Sequence, residues 1–316
     1  MTARVALVKG NDRYGNVVRA LDMIVDCIDP ADIEGRRVLI KPNLVSALNP
    51  LAATHVDAVR AVVDVIRRFS PGSLVIAEAT SNGSTADAYR RFGYDRLEGV
   101  ELVDVNRDEY DTMRIQTLEG GERGIKVSKT VLESDYVVSV ARAKTHDHVF
   151  CTLTLKNMMG SVAHADHVWM HGAEEEPTSP VDNAIRGNYV LINNLVAVAE
   201  KVGVDLGVVD GFVGMEGNGP VDGTPKYLGV AAAGFDFVAV DAVMASVMGF
   251  DPRMKGDTYL ADERGLGVGD LDRIEVIGED IEGARRRFRP HSNYYMTQIG
   301  WIRHHPRYGE KDMRGS

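Results

Sequence analysis

Cysteine is scarce in this chain of 316 residues, where it occurs only at Cys27 and Cys151. The two positions lie far apart in the sequence and match the spacing of neither a metal site nor a thiol redox motif. Neither cysteine is therefore predicted to carry the chemistry of the protein.

An excess of positive charge and long apolar runs are also missing. The formal net charge is -10, whereas general nucleic-acid binding requires a surplus of Lys and Arg against the phosphates. No apolar run approaches the roughly 20 residues that a membrane helix requires, and the N-terminus lacks a signal-peptide pattern. We therefore predict a cytoplasmic protein that binds neither nucleic acid nor membrane.

Apolar and charged residues make up 44% and 26% of the chain, which is ordinary for a soluble globular protein. Short apolar runs alternate with stretches of helical periodicity, and this predicts an α/β fold with a mainly parallel sheet flanked by helices. A small lobe could be inserted near residues 100–130, which look like a hairpin, or near residues 161–188. Four apolar runs are typical of buried strands, at residues 38–40, 74–77, 136–140 and 206–209.

No clear linker interrupts the chain, so residues 1–284 are predicted to form a single α/β domain. Residues 285–316 differ in composition, with eight lysines and arginines against two acidic residues. The aromatic residues of this tail include Tyr294, Tyr295, Trp301 and Tyr308. Such a tail suits a subunit interface, which would make the protein a homo-oligomer, or it folds over its own domain.

Polar and ionisable residues follow each of the four predicted strands. They are Lys41 and Asn43, Glu78, Lys144 and His146, and Asp210. Because the carboxyl ends of parallel strands meet at one edge of a sheet, these side chains are expected to converge. Ligand sites of open α/β sheets lie at that edge.

The order of several short motifs resembles the family called domain of unknown function 362. The motifs are Lys41-Pro42-Asn43, Lys144-Thr145-His146, Leu155 to Gly160, Asp210-Gly211 and Glu216 to Pro220. The resemblance covers residues 35–250 and implies a related fold. Many relatives carry ferredoxin-type cysteine motifs, but two isolated cysteines cannot hold a four-cysteine cluster. No iron–sulfur cluster is therefore expected.

Three lysines, Lys41, Lys144 and Lys156, could form a cationic floor for a carboxylate or a phosphate. Desolvation and mutual repulsion would lower the pKa of at least one of them, which makes it a candidate base or nucleophile. The alternative is that each lysine pairs with a carboxylate and fixes the loops. The candidate carboxylates are Glu78, Asp210 and Asp241.

Proton transfer is assigned to His146 and Glu78. The imidazole of His146 suits this role because it titrates near neutral pH. The alternative for His146 is a structural hydrogen bond at a strand end. The remaining predicted substrate-binding residues are Asn43, Lys156, Asn157, Asp210 and Glu216. Asp210 and Glu216 lie in a glycine-rich stretch, residues 210–220, and could orient the substrate or hold a hard cation, although a simple tight loop has the same composition.

His164, His167 and His171 have the spacing i, i+3 and i+7, so a helix there would put them on one face. Three imidazoles could bind a divalent metal such as zinc, nickel or iron. The alternative is a solvated or substrate-facing loop, which the local composition also suits.

These features favour an enzyme that acts on a small anionic substrate by Lys and His acid–base chemistry. Isomerase or lyase chemistry at a carbon next to a carboxylate or carbonyl is the reaction class that we predict. A metal-dependent redox or hydrolytic enzyme that uses the histidines is one alternative. A non-catalytic ligand-binding protein is the other.

Overall fold

The computed structural model of the protein describes residues 2–172, 180–295 and Trp301. The strands are β1 Ala3–Lys9, β2 Arg37–Pro42, β3 Ser73–Glu78, β4 Glu101–Asp104, β5 Tyr110–Gln116, β6 Glu122–Ser128, β7 Tyr136–Thr145, β8 Cys151–Thr152, β9 Leu206–Glu216, β10 Thr224–Gly234 and β11 Ile274–Gly278. The helices are α1 Arg13–Asp22, α2 Val56–Ile66, α3 Thr85–Phe92, α4 Lys129–Leu132, α5 Thr154–Asn157, α6 His167–Met170, α7 Pro180–Val202, α8 Phe237–Val247, α9 Gly256–Glu263 and α10 Ile281–Ala284.

Several helices begin at a side chain that accepts a backbone hydrogen bond from the first turn. The Asp12 carboxylate accepts from the amide of Gly15 before α1, and the Ser84 hydroxyl accepts from Asp87 before α3. Each such contact satisfies one amide that the helix itself leaves unpaired. Among the helices of the described residues, none has both the length and the apolar composition needed to span a bilayer.

The described residues form one sheet of nine strands in the order β11-β1-β10-β9-β7-β2-β3-β4, with β8 paired to β7. β9, β7, β2, β3 and β4 run parallel to one another, and β11 runs parallel to β1. β10 is antiparallel to both of its neighbours. The prediction of an α/β fold with a mainly parallel sheet is confirmed.

The sheet is covered by helices on both faces, because side chains along a strand alternate between its two sides. In β2, Val38 and Ile40 pack into the core that contains α1 and α2. Leu39 packs into a second core on the opposite face, which contains α7. Every residue of β7 is buried, as expected for a central strand covered on both sides.

A separate two-stranded sheet is formed by β5 and β6, within the region where the sequence predicts a hairpin. Asn194 of α7 anchors it, since its side-chain amide exchanges hydrogen bonds with the backbone of Gln116 at 2.9 and 3.0 Å. The second predicted location, residues 161–188, lies partly outside the described residues. Its described part contains a 3₁₀ turn at His164–Asp166 followed by α6.

Two strands are longer than the sequence pattern predicts. β7 continues through Lys144 and Thr145, which pair with β8. β9 continues to Glu216, so Asp210 lies within the strand, and the prediction that the strand ends there is wrong. The physical reason is the antiparallel partner β10, which supplies hydrogen bonds to β9 on both sides of Asp210.

The described part of the predicted tail contacts the domain at several aromatic residues. Phe288 is buried in the core that contains α8, and the ring of Tyr294 packs edge-on against Phe150 at 4.9 Å. Trp301 is 1% exposed and donates its indole hydrogen to the carbonyl oxygen of Met254 at 3.0 Å. Tyr308 lies outside the described residues. Homo-oligomer formation through the tail and the domain boundary at residue 284 stay predictions.

Candidate functional site

A cavity of about 330 Å³ lies where β2, β3 and β7 end at the carboxyl edge of the sheet. Side chains from separate parts of the chain line it, as expected for an open α/β sheet. Eight of the residues singled out in the sequence are part of this lining. They are Asn43, Glu78, Lys144, His146, Lys156, His164, His167 and His171.

Asp210 and Glu216 lie outside the cavity lining. Asp210 is fully buried and forms an ion pair with Arg13 at 3.1 Å. Glu216 is 3.4 Å from the ammonium group of Lys226 and accepts a hydrogen bond from the backbone of Arg289. Because β9 extends past Asp210, the expected convergence of four strand ends is wrong for this strand, and in the part of the chain that the structure describes the other three ends contribute to the cavity.

Lys41 and Glu78 form a buried ion pair at the base of the cavity, where only Glu78 belongs to the lining. Burial lowers the pKa of Lys41 and raises the pKa of Glu78, while their mutual attraction opposes both changes. Gly160 lies against this pair, and a Cβ atom there would overlap the Glu78 carboxylate. Asn157 also lies behind the cavity and donates a hydrogen bond to the Lys41 carbonyl at 2.8 Å.

Lys144 is fully buried and lines the cavity. Its ammonium group donates to the side-chain oxygen of Asn43 and to the carbonyl oxygen of Ala52, both at 2.6 Å. Within the described residues it has no carboxylate partner. Burial lowers its pKa well below the usual range, and the neighbouring charges of Arg142 and Lys156 lower it further.

Lys156 is 8% exposed and lines the same cavity. It forms no hydrogen bond or ion pair with any other part of the chain that the structure describes. Burial lowers its pKa to about 8, although the charges of Asp147, Asp257 and Glu78 oppose that change. Lys156 is therefore a buried amine whose charge is only weakly compensated by the protein.

Asp241 fixes the position of α5, the short helix that carries Lys156. Its carboxylate accepts from the backbone amides of Thr154 and Leu155 at 2.7 and 3.2 Å. Its cationic partner is Lys255 at 3.2 Å. The alternative that Asp241 pairs with Lys144 or Lys156 is wrong, because Lys255 already occupies the buried position beside this carboxylate.

His146 begins the tight connection between β7 and β8, and its backbone amide donates to the carbonyl of Phe150 at 3.0 Å. The imidazole is 5% exposed, and burial lowers its pKa to about 3. At neutral pH it is therefore an uncharged ring with a lone pair. Asp147 and His148 follow directly and also line the cavity, although the sequence pattern assigns no site role to either.

One carboxylate oxygen of Asp147 lies close to both neighbouring rings. The distance from Oδ1 is 2.9 Å to Nδ1 of His146 and 3.0 Å to Nδ1 of His148. The side chains of residues i, i+1 and i+2 would alternate sides in a strand, so only the bend after β7 brings these three together.

The three histidines of the predicted metal set do not lie on one face of a helix. His164 is exposed in the 3₁₀ turn, and its Nδ1 is 3.5 Å from Nδ1 of His167. His167 donates from Nε2 to the carbonyl of Val162 at 3.0 Å, which leaves Nδ1 facing the hydroxyl of Ser81 at 3.2 Å. His171 packs instead against the ring of His148, with centroids 4.5 Å apart. Metal binding by this trio stays a prediction.

Comparison with known proteins identifies the family. The family described as domain of unknown function (DUF362) matches residues 38–246. The chain belongs to this family. This DUF362 chain is also 27% identical over 220 residues to a thylakoid-associated protein of Synechocystis, an alignment that covers 69% of this chain and 64% of that protein.

Two solved structures also match part of this DUF362 chain. The lactate racemase apoprotein of Thermoanaerobacterium thermosaccharolyticum is 18% identical, with a TM-score of 0.45 over 66% of this chain and 50% of that one. A protein of Thermotoga maritima is 10% identical, with a TM-score of 0.37 over 66% of this chain and 52% of that one. The chain thus spans about half the length of each solved protein.

Proposed function

We propose that this protein is an enzyme that acts on a small substrate bearing a carboxylate or a phosphate. The observation that carries the proposal is the pair of buried lysines, Lys144 and Lys156, which line one cavity and have no carboxylate partner in the described residues. A buried ammonium group without a counter-charge is destabilising by several kcal/mol. An anionic ligand between the two lysines would supply the missing negative charge.

The other charged groups of the cavity wall do not cancel these two lysines. Glu78 is already compensated by Lys41, and the single negative charge of Asp147, which acts on Lys156, can offset at most one of the two lysines. The side-chain amide of Asn43 stays beside Lys144 and can donate to the same bound anion. The lining therefore favours a ligand with at least one negative charge and several acceptor oxygens.

Lys156 is the group that we assign to proton transfer. With a pKa of about 8, an appreciable fraction of its amine is neutral at physiological pH and can accept a proton. Lys144 would hold the anion, and Glu78, which lines the same cavity, would offer a second proton-transfer group. His146, the residue predicted for this role, keeps an uncharged ring and contributes a hydrogen-bonding surface. Together these roles correspond to an isomerase or lyase that removes a proton beside a carboxylate or carbonyl.

Hydrogen exchange in deuterated water tests the proposal and does not require the product to be identified. A panel of small carboxylic acids with a hydroxyl, carbonyl or amino group on the adjacent carbon is incubated with the protein, and the loss of the C–H signal is followed by proton NMR. We expect catalysed exchange for at least one member of the panel. Lys156→Met should reduce the rate by at least about 100-fold, and Lys144→Ala should abolish turnover with an unchanged circular-dichroism spectrum.

Lys129→Met is the matched control, since Lys129 is a surface residue that pairs with Glu109, and its exchange rate should equal that of the unmodified protein. Exchange that survives both lysine substitutions would refute the assigned roles. Tight binding of a panel member without any exchange would instead support a non-catalytic ligand-binding protein.

A further inference from the structure

The connection between β7 and β8 holds three metal-ligating side chains in consecutive positions. His146, Asp147 and His148 each offer one ligand atom, and in the described residues these three atoms all lie within 4.8 Å of one another. All three side chains line the cavity. The set differs from the His164, His167 and His171 trio that the sequence spacing suggests.

The separations within this group match those of ligands around one cation. Adjacent ligands of an octahedral ion with bonds of about 2.1 Å are roughly 3.0 Å apart. Asp147 Oδ1 is 2.9 Å from Nδ1 of His146 and 3.0 Å from Nδ1 of His148. One cation in contact with this oxygen can therefore reach both ring nitrogens with small movements of the side chains.

The hydrogen bonding of the two rings is compatible with metal ligation through Nδ1 of each ring. The backbone amide of His148 donates to Nδ1 of His146 at 3.0 Å, so this nitrogen carries a lone pair and no proton. Nδ1 of His148 is buried and has no hydrogen-bond partner among the described atoms, although the Asp147 oxygen lies at contact distance. A cation would satisfy the His148 nitrogen and would replace the amide contact to His146.

The backbone around the group is held in an uncommon conformation. Phe150, which ends the connection, has a φ of 35°, in the left-handed region that non-glycine residues rarely adopt. Its ring is buried between Phe250 and Tyr294 and keeps the bend in place. Such conformations cluster at ligand sites, where the surrounding packing stabilises them.

We propose that His146, Asp147 and His148 bind a divalent first-row transition-metal ion. Two imidazoles and one carboxylate are a ligand set that such ions accept, with positions left open for other ligands. The open positions would face the cavity that Lys156 also lines, so a substrate oxygen could complete the coordination. This inference concerns the cavity of the proposed function, but metal binding does not depend on turnover.

Cobalt titration tests the site directly. Protein freed of metal by a chelator and then desalted is titrated with Co²⁺, and the visible d–d absorption reports coordination by protein nitrogens. We expect one Co²⁺ per chain. His148→Ala and Asp147→Asn should each weaken binding at least tenfold, and the isosteric Asp147→Asn keeps the test valid if His148→Ala does not fold.

His164→Ala compares the two histidine sets, and binding by His146, Asp147 and His148 predicts an unchanged Co²⁺ affinity in this variant. The absence of stoichiometric Co²⁺ binding would overturn the proposal. So would weaker binding in His164→Ala together with unchanged binding in Asp147→Asn. Absorption is read without substrate, so failure of proton exchange alone would count against the proposed function and leave the metal site standing.

Discussion

Replacing Lys156 with methionine should stabilise the folded protein while removing the proposed activity. Methionine keeps the length of the side chain and fills the same space but carries no charge. The lysine is 8% exposed and has no partner in the described residues, so its ammonium group gives up hydration without a compensating contact. The substitution therefore relieves a desolvation penalty of the folded state, which the proposed anionic ligand would otherwise offset.

The size of the effect follows from the pKa. A group that titrates at about 8 when folded and at 10.5 when unfolded destabilises the protonated folded state by about 3 kcal/mol, at roughly 1.4 kcal/mol per pKa unit. The unfolded chain binds more protons between these two values, so stability rises with pH across this window. Below pH 8 the penalty is complete, and by about pH 10.5 it has disappeared.

Urea unfolding in a chloride buffer at pH 7 and pH 9.5 measures this difference. The free energy of unfolding of Lys156→Met should exceed that of the unmodified protein by up to about 3 kcal/mol at pH 7 and by roughly 1 kcal/mol at pH 9.5. Lys41→Met is the matched control, because it leaves the buried Glu78 carboxylate without its cation. Its free energy of unfolding should be lower by about 3–5 kcal/mol. A loss of stability in Lys156→Met at pH 7, or a gain that does not shrink at pH 9.5, would refute the reasoning.

Two further substitutions test the packing around the site and the tail. Gly160→Ala pushes a methyl group into the Glu78 carboxylate and should lower the free energy of unfolding by about 1–3 kcal/mol. Gly121→Ala at the β5–β6 turn is the control and should change the free energy of unfolding by no more than about 0.5 kcal/mol. Equal effects of the two substitutions would contradict the close contact at Gly160. Trp301→Ala empties a buried position and should lose about 3–5 kcal/mol in the same assay, and a neutral result would show that this part of the tail does not dock in solution.

The sequence predicts those cavity residues whose position depends on the neighbouring residues of the chain. β2, β3 and β7 are read from β-branched runs, and in each case the next polar residues lie at the carboxyl edge of the sheet. Asp210 follows an equally apolar run but lies within its strand, because β10 extends the pairing of β9 beyond it. The position where a strand ends thus depends on a partner that is distant in sequence.

Side-chain partners are less predictable than strands for the same reason. Asp241 stands out in the sequence as an acid among apolar residues, yet its cation is Lys255, which comes from the segment before α9. Asp147 and His148 are adjacent to the predicted site residue His146, but three consecutive side chains converge only because the chain bends after β7. Neither arrangement has a periodic signal that a single sequence reveals.

What distinguishes the lysines of this cavity is whether the fold supplies a partner. Lys41 has Glu78, and the two buried charges form a unit that fixes the end of β3. Lys144 has only neutral oxygen acceptors, and Lys156 has no described partner. Because removal of one charge from a buried pair is destabilising while removal of an unpaired charge is stabilising, the sign of each lysine's effect on stability separates a structural role from a ligand-binding one. The same substitution to methionine at Lys41 and Lys156 therefore tests whether the cavity is built for an anion before any substrate is identified.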